Sequence, residues 1–307
     1  RLFVAHSHDY LLCFSNRGRL YWLKVYEVPA GSRAARGKPM VNMFPLAEGE
    51  KITAVVPVKE FDENHFVFMA TAQGTVKKTP LAEFSRPRPS GIIAVGLDQD
   101  DYLVGAALTD GKYDVMLFSS ECKAVRFEES DVRPMGRQAT GVRGMRLGEG
   151  QRVVCMLVAN DESKSVLTAT QNGFGKRTPI GEYTRHGRGG QGMIAIQSSE
   201  RNGNLVGAVL VDENDEVMLI STGGVLIRTR VAQIREMGRS TQGVTLIALG
   251  EGEKLAGLER IEERELGNGN GGNGGNGGNG GSHEPGAEAA DEGPADEPPS
   301  EPPPTVH

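Results

Sequence analysis

Aromatic residues make up only 6% of this 307-residue chain, with one tryptophan. That scarcity argues against a platform on which single-stranded bases stack. No run of 18 apolar residues occurs, which excludes a helical membrane span, and no membrane partner is expected. The three cysteines, Cys13, Cys122 and Cys155, are odd in number and lack metal-ligand spacing. A disulfide framework and a zinc site are therefore excluded, and a reduced, cytoplasmic setting is expected. Long helical periodicity is missing, as are Ser/His/Asp and Cys/His sets that would carry nucleophilic catalysis. His6-Ser7-His8-Asp9 has metal-binding residue types but reads as an exposed turn. Nothing near Arg1 resembles a signal peptide. Arg1 opens directly into the strand-like Leu2-Phe3-Val4-Ala5, so the chain reads as a piece of a longer polypeptide.

Basic residues are absent from 284–301, which holds seven acidic ones. Outside that stretch 34 basic residues face 33 acidic ones, so the net charge of −6 conceals a segregation of charge. An Asn/Gly tract at 267–281 separates the two regions. It carries no side chain able to build a core and is expected to behave as a coil roughly 20 Å from end to end. The domain reading is a folded region over 1–264, a flexible linker over 265–281 and an acidic, Pro-rich, disordered tail over 282–307.

The folded region contains five copies of a unit of about 50 residues. Each begins with a short run of strand character: Tyr10–Ser15, Phe66–Thr71, Asp114–Ser119, Ser165–Thr170 and Glu216–Ser221. A turn follows, centred on Gly18, Gly74, Cys122, Gly173 or Gly224, then a basic strand, read at Val76-Lys77-Lys78, Ala124-Val125-Arg126, Gly175-Lys176-Arg177 and Leu226-Ile227-Arg228. Seventeen to nineteen residues after the turn stands a second glycine: Gly37, Gly91, Gly141, Gly192 or Gly243. Another apolar strand closes each unit, at 52–58, 103–108, 153–158, 205–211 and 255–261. Periods of this size mark propellers and solenoids. The expected fold is all-β and propeller-like, with four short strands per blade and neighbours covering each blade's apolar face.

Superposed on the second glycine, the copies place an arginine four residues before it: Arg33, Arg137, Arg188 and Arg239. The second copy has Pro87 there, between Arg86 and Arg88. An apolar anchor precedes each loop, at Val28, Phe84, Val132, Tyr183 and Ile234, with Arg86, Arg133, Arg185 or Arg235 soon after it in the later copies. The strand after the first turn adds Lys77, Lys78, Arg126, Lys176, Arg177, Arg228 and Arg230. A lone arginine is ordinarily a solvated surface group; a register that recurs in a radial fold lays a basic stripe along the rim. Phosphate binding needs that arrangement, with no demand for base-edge geometry. Glycines beside the arginines allow close backbone approach and offer amide donors. Duplex DNA is the expected partner.

Several stretches resemble the C-terminal domain of the DNA gyrase A subunit: Asn16-Arg17-Gly18-Arg19, Ala35-Arg36-Gly37-Lys38-Pro39, Gly74-Thr75-Val76-Lys77-Lys78-Thr79, Thr140-Gly141-Val142-Arg143-Gly144, Gln171-Asn172-Gly173-Phe174-Gly175-Lys176-Arg177-Thr178 and Thr241-Gln242-Gly243-Val244. The resemblance spans residues 1 to about 262. It implies a β-pinwheel in which each blade borrows a strand from its neighbour, six blades being usual. It implies chiral wrapping of duplex DNA for an ATP-dependent type II topoisomerase, partnered by the rest of the A subunit and by the B subunit, in the bacterial cytoplasm. ATP and Mg2+ would belong to other parts of that enzyme, with no cofactor and no catalytic residue in this piece, which is expected to be monomeric. The family's signature, Gln-Arg-Arg-Gly-Gly-Lys-Gly, belongs to the first blade and is missing here. The nearest string, 186–192, matches it at Arg188, Gly189, Gly190 and Gly192 but falls in the fourth repeat. With Gln191 it joins the candidate DNA contacts, which also include Arg36, Lys38 and Arg143. Two alternatives stand beside this reading: a DNA-bending domain of the topoisomerase IV type, and a propeller-like scaffold whose arginines meet acidic proteins.

The tethered acidic tail is expected to compete with DNA for the basic rim. Deleting residues 267–307 should raise affinity for duplex DNA at low salt, measured by fluorescence anisotropy; unchanged affinity would show that the tail does not compete.

Overall fold

The computed structural model describes residues 5–32 and 37–261. The expected linker and tail lie outside the described residues. Five antiparallel sheets follow one another along the chain. In each, the first strand of the repeat is central. Tyr10–Ser15, for example, pairs with Arg19–Lys24 on one side and Ile52–Val58 on the other. A fourth strand of only two residues completes the sheet, and it comes from the next repeat. Ile92–Ile93 joins the first blade, Val142–Arg143 the second, Met193–Ile194 the third and Val244–Thr245 the fourth. The fifth sheet has three strands, Leu226–Arg230, Glu216–Ser221 and Leu255–Ile261. The expected propeller-like array with borrowed strands is thus present, but one blade departs from the four-strand plan.

The sequence pattern explains the layering. Asp114–Ser119 and Ser165–Thr170 are buried at every position, as a strand with both faces covered requires. The cores lie between blades. Leu12 and Phe14 of the first pack with Val67, Met69 and Phe84 of the second repeat. Phe68 and Val76 meet Val115, Phe127 and Val132, and Phe118 meets Val166 and Tyr183. The anchors Phe84, Val132, Tyr183 and Ile234 are all buried. Phe84 and Tyr183 sit edge-on to Phe14 and Phe118, with ring centroids 6.2 Å apart in both pairs. Val28, the anchor of the first repeat, is exposed, and so are Ile220, Val225 and Leu226 of the fifth. Among the described residues no blade precedes the first or follows the fifth. A short 3-10 helix, unanticipated from the sequence, follows the second strand in every repeat: Val25–Glu27, Leu81–Phe84, Glu129–Asp131, Ile180–Glu182 and Val231–Gln233. A one-residue register shift between first and third strands also recurs in every blade, adding local twist.

The second glycine makes the strand exchange possible. At Gly91 the backbone has φ +68°, and a Cβ would stand 2.8 Å from the Leu20 carbonyl oxygen and as close to the Tyr21 ring. Gly192 and Gly243 cross Ala124 and Gly175 in the same way. Gly91→Ala should therefore cost roughly 1–2 kcal/mol for the left-handed backbone and about 1–3 kcal/mol more for the clash. Gly252→Ala, with φ +75° and open space around the new carbon, incurs only the first cost. Urea midpoints followed by circular dichroism should fall for both variants, and clearly further for Gly91→Ala.

Candidate nucleic-acid interface

In the third, fourth and fifth repeats the arginine loop runs from its buried anchor to its second glycine and lies against the preceding repeat. The arginine four residues before the glycine braces it there. Arg188 donates from Nε to the Asp131 carbonyl and from Nη1 to the Arg143 carbonyl, both at 3.1 Å. Arg239 donates to the Glu182 carbonyl at 2.6 Å and the Ile194 carbonyl at 3.0 Å. Arg137 reaches Glu83 at 3.7 Å and the Ile93 carbonyl at 3.5 Å. In every case the partners are the 3-10 helix and the exchange strand of the repeat before. A backbone bond repeats beside them: Gly96 to Ala139, Arg146 to Gly190 and Gln197 to Thr241. The register found in the sequence thus carries a mechanical role, with the remaining guanidinium N–H groups left for a ligand.

The other candidates fall into distinct groups. Lys38, Arg86, Arg88, Arg133, Arg143 and Arg235 are exposed on loops or exchange segments, as are Gly190 and Gln191. Arg33 and Arg36 lie outside the described residues. Arg185 is exposed but already paired, with Asp114 at 2.9 Å, Glu128 at 3.1 Å and Glu162 at 3.5 Å. Arg228 and Arg230, on the fifth blade, share Glu216. Arg177 is half-buried between the Ile234 carbonyl and Glu213.

Four cations expected on the surface are instead buried. Lys78 lies beside Glu129 at 3.6 Å, with its ammonium 4.9 Å from the Phe66 ring centroid. Arg126 is held by Asp114, Glu162 and the Ile180 carbonyl. Lys77 and Lys176 have no solvent exposure. The ammonium of Lys77 donates to the carbonyls of Ala94 and Arg137, and that of Lys176 to those of Gly238 and Arg239. These positions face a neighbouring blade, where only a fully hydrogen-bonded cation is tolerated. The glycines are also divided. Gly192 is demanded by strand exchange, since a Cβ would lie 2.7 Å from the Ala124 carbonyl oxygen, and Gly189, at φ +83°, donates its amide to Gly144. The acidic partners Asp114, Glu129 and Glu216 escaped the sequence reading, although the turn at Gly224 fixes the hairpin register that sets Glu216 opposite Arg230.

Burial pushes Lys77 and Lys176 down to about 8 from 10.5, with Arg137 lowering the first further and Glu182 partly opposing the shift of the second. Between these values the folded chain binds fewer protons than the unfolded chain, so this contribution to stability rises with pH. It is complete above about pH 10.5 and lost as pH falls through about 8, amounting to roughly 3 kcal/mol per group. Urea unfolding between pH 7.5 and 10 should therefore show wild type gaining stability relative to Lys77→Met and Lys176→Met. Parallel profiles would place these ammonium groups in contact with water.

A sequence model of the family described as the DNA gyrase C-terminal domain, beta-propeller, matches residues 9–59, 65–110, 113–160, 164–212 and 215–262, one segment per blade. The DNA gyrase A subunit of Salmonella typhimurium is 55% identical over 263 residues, covering 86% of this chain and 30% of that protein. Its Escherichia coli counterpart is 54% identical with the same coverage. The Pseudomonas aeruginosa counterpart is 49% identical over 310 residues, covering 87% of this chain and 34% of its own length. The chain thus spans about a third of these relatives. Among solved structures, the C-terminal domain of DNA topoisomerase IV superposes with a TM-score of 0.77 at 28% identity, covering 83% of this chain and 80% of that one. A DNA gyrase A C-terminal domain superposes at 0.73 and 26% identity, covering 84% of each. Five matched blades and extensive identity lead to one conclusion: the chain belongs to the DNA gyrase C-terminal domain family of β-propellers.

Proposed function

We propose that this chain binds duplex DNA without sequence preference and bends it along the arginine loops, wrapping it with a fixed hand. The observation that carries the reading is the recurrence of Arg137, Arg188 and Arg239 at one register, each braced against the preceding repeat. Exposed Arg86, Arg88, Arg133, Arg143 and Arg235 lie on or beside these loops. Cations repeated once per blade match a polymer whose charge also repeats. In the parent protein the wrapped segment would serve strand passage by an ATP-dependent type II topoisomerase, with the B subunit as partner. ATP, Mg2+ and the reacting groups would be supplied by other parts of that enzyme. The string at 186–192 departs from the family signature, which favours partial wrapping as the alternative, close to simple bending.

Bending about 40 base pairs through a half turn costs on the order of 10 kcal/mol, so many phosphate contacts must share the load. With about eight phosphates neutralised, log K should fall with log salt at a slope near −7. Anisotropy titrations with random-sequence duplexes between 50 and 200 mM salt, roughly the range over which such losses are large, provide the test. A slope near −7 and equal affinity across sequences are expected. A flat salt dependence would remove the DNA reading and leave the protein scaffold.

A further inference from the structure

The junctions between blades solve one problem with two different donors. Where the second blade meets the third loop, Lys77 Nζ donates to the carbonyl of Ala94, at 2.8 Å, and to that of Arg137. Ala94 is the third residue after Gly91. Where the fourth blade meets the fifth loop, Lys176 holds the carbonyls of Gly238 and Arg239. At the intervening junction the lysine position is taken by Val125. There Gly144, the third residue after Gly141, instead accepts from the Gly189 amide at 2.7 Å. Beneath that loop lies a cavity of about 240 Å³, lined by Val125, Arg126, His186, Gly187, Gly190 and Met193 among others. The loop's own backbone, bent through the left-handed conformation that Gly189 permits, replaces the missing ammonium.

We infer that Lys77, Lys176 and Gly189 are positioning residues of the interface, holding the arginine loops from beneath without touching phosphate. The inference deepens the DNA-binding reading and rests on it. The lysines grip the backbone of the arginines or their neighbours, while the guanidinium groups of Arg137 and Arg239 grip the preceding repeat. A loop fixed from both sides presents its cations without an ordering cost at the moment of binding. Methionine at 77 or 176 keeps an unbranched stem in the same space and removes the donor together with its charge.

The test is DNA titration across salt with the 307-residue chain and its variants Lys77→Met, Lys176→Met, Gly189→Ala and the double variant Gly189→Ala/Val125→Lys. Each single variant should bind about tenfold more weakly, with a slope shallower by about 1, as one loop's phosphate contact is lost. Far-UV circular dichroism checks that each remains folded. The double variant should regain wild-type affinity and slope, because the new lysine enters the cavity and supplies the donor that Gly189 no longer places. Unchanged binding in both methionine variants, or a double variant no better than Gly189→Ala, overturns the inference while leaving wild-type DNA binding intact. A wild-type chain that does not bind DNA removes the underlying reading instead.

Discussion

Two residues handed from each of the second to fifth repeats to the blade before it hold this array together. The exchange strand is short, yet it closes the sheet edge that would otherwise remain open. It also fixes where the following loop must lie. The second glycine has to cross the neighbour's backbone at contact distance, as Gly91 does over Leu20 and Gly192 over Ala124. With that crossing fixed, the anchor residue drops into the inter-blade core and the intervening loop spans the junction. Phe84, Tyr183 and Ile234 mark the same point of the design in three repeats. Stability is shared between neighbours, as in other repeat architectures, so a fault at one junction falls on two blades.

The same crossing links fold and recognition. Arg188 and Arg239 are hydrogen-bonded to the exchange strand before them, at the Arg143 and Ile194 carbonyls. Their charge is therefore carried by the element that sets blade-to-blade spacing. For a ligand as stiff as duplex DNA this matters, since the energy of bending must be recovered from contacts placed along a set path. In the proposed reading, cations on mobile side chains would follow the DNA, whereas cations braced as Arg137, Arg188 and Arg239 are would impose a course on it. The buried Asp114–Arg126 pair, with Arg185 beside it, works toward the same end by joining the third blade to the fourth loop.

Much of this was legible in the sequence because the repeat is its own alignment. The first strands, the turns and the closing strands follow from apolar runs and glycines recurring in register, whereas the borrowing of strands from neighbours was legible only through the resemblance to the gyrase A C-terminal domain. The surface was harder to read. Lys77 and Lys176 sit in basic strings and read as rim cations, but alternation along a strand covered on both faces sends them into the inter-blade space. Arg185 and Arg228 look free until acids from the preceding blade or the partner strand, Asp114 and Glu216, are brought beside them. Charge pairing across strands depends on register, which composition does not contain. The 3-10 helices were missed because each is a single turn, too short to show a period, though Pro80 and Pro179 precede two of them.

Ligation of nicked circular DNA with increasing amounts of the chain, followed by separation of topoisomers, reads wrapping itself. Chiral wrapping on braced loops predicts a positive linking-number shift that grows with protein and shrinks as salt weakens the phosphate contacts. Products with unchanged linking number, at protein concentrations that saturate the DNA, would contradict wrapping and leave bending alone.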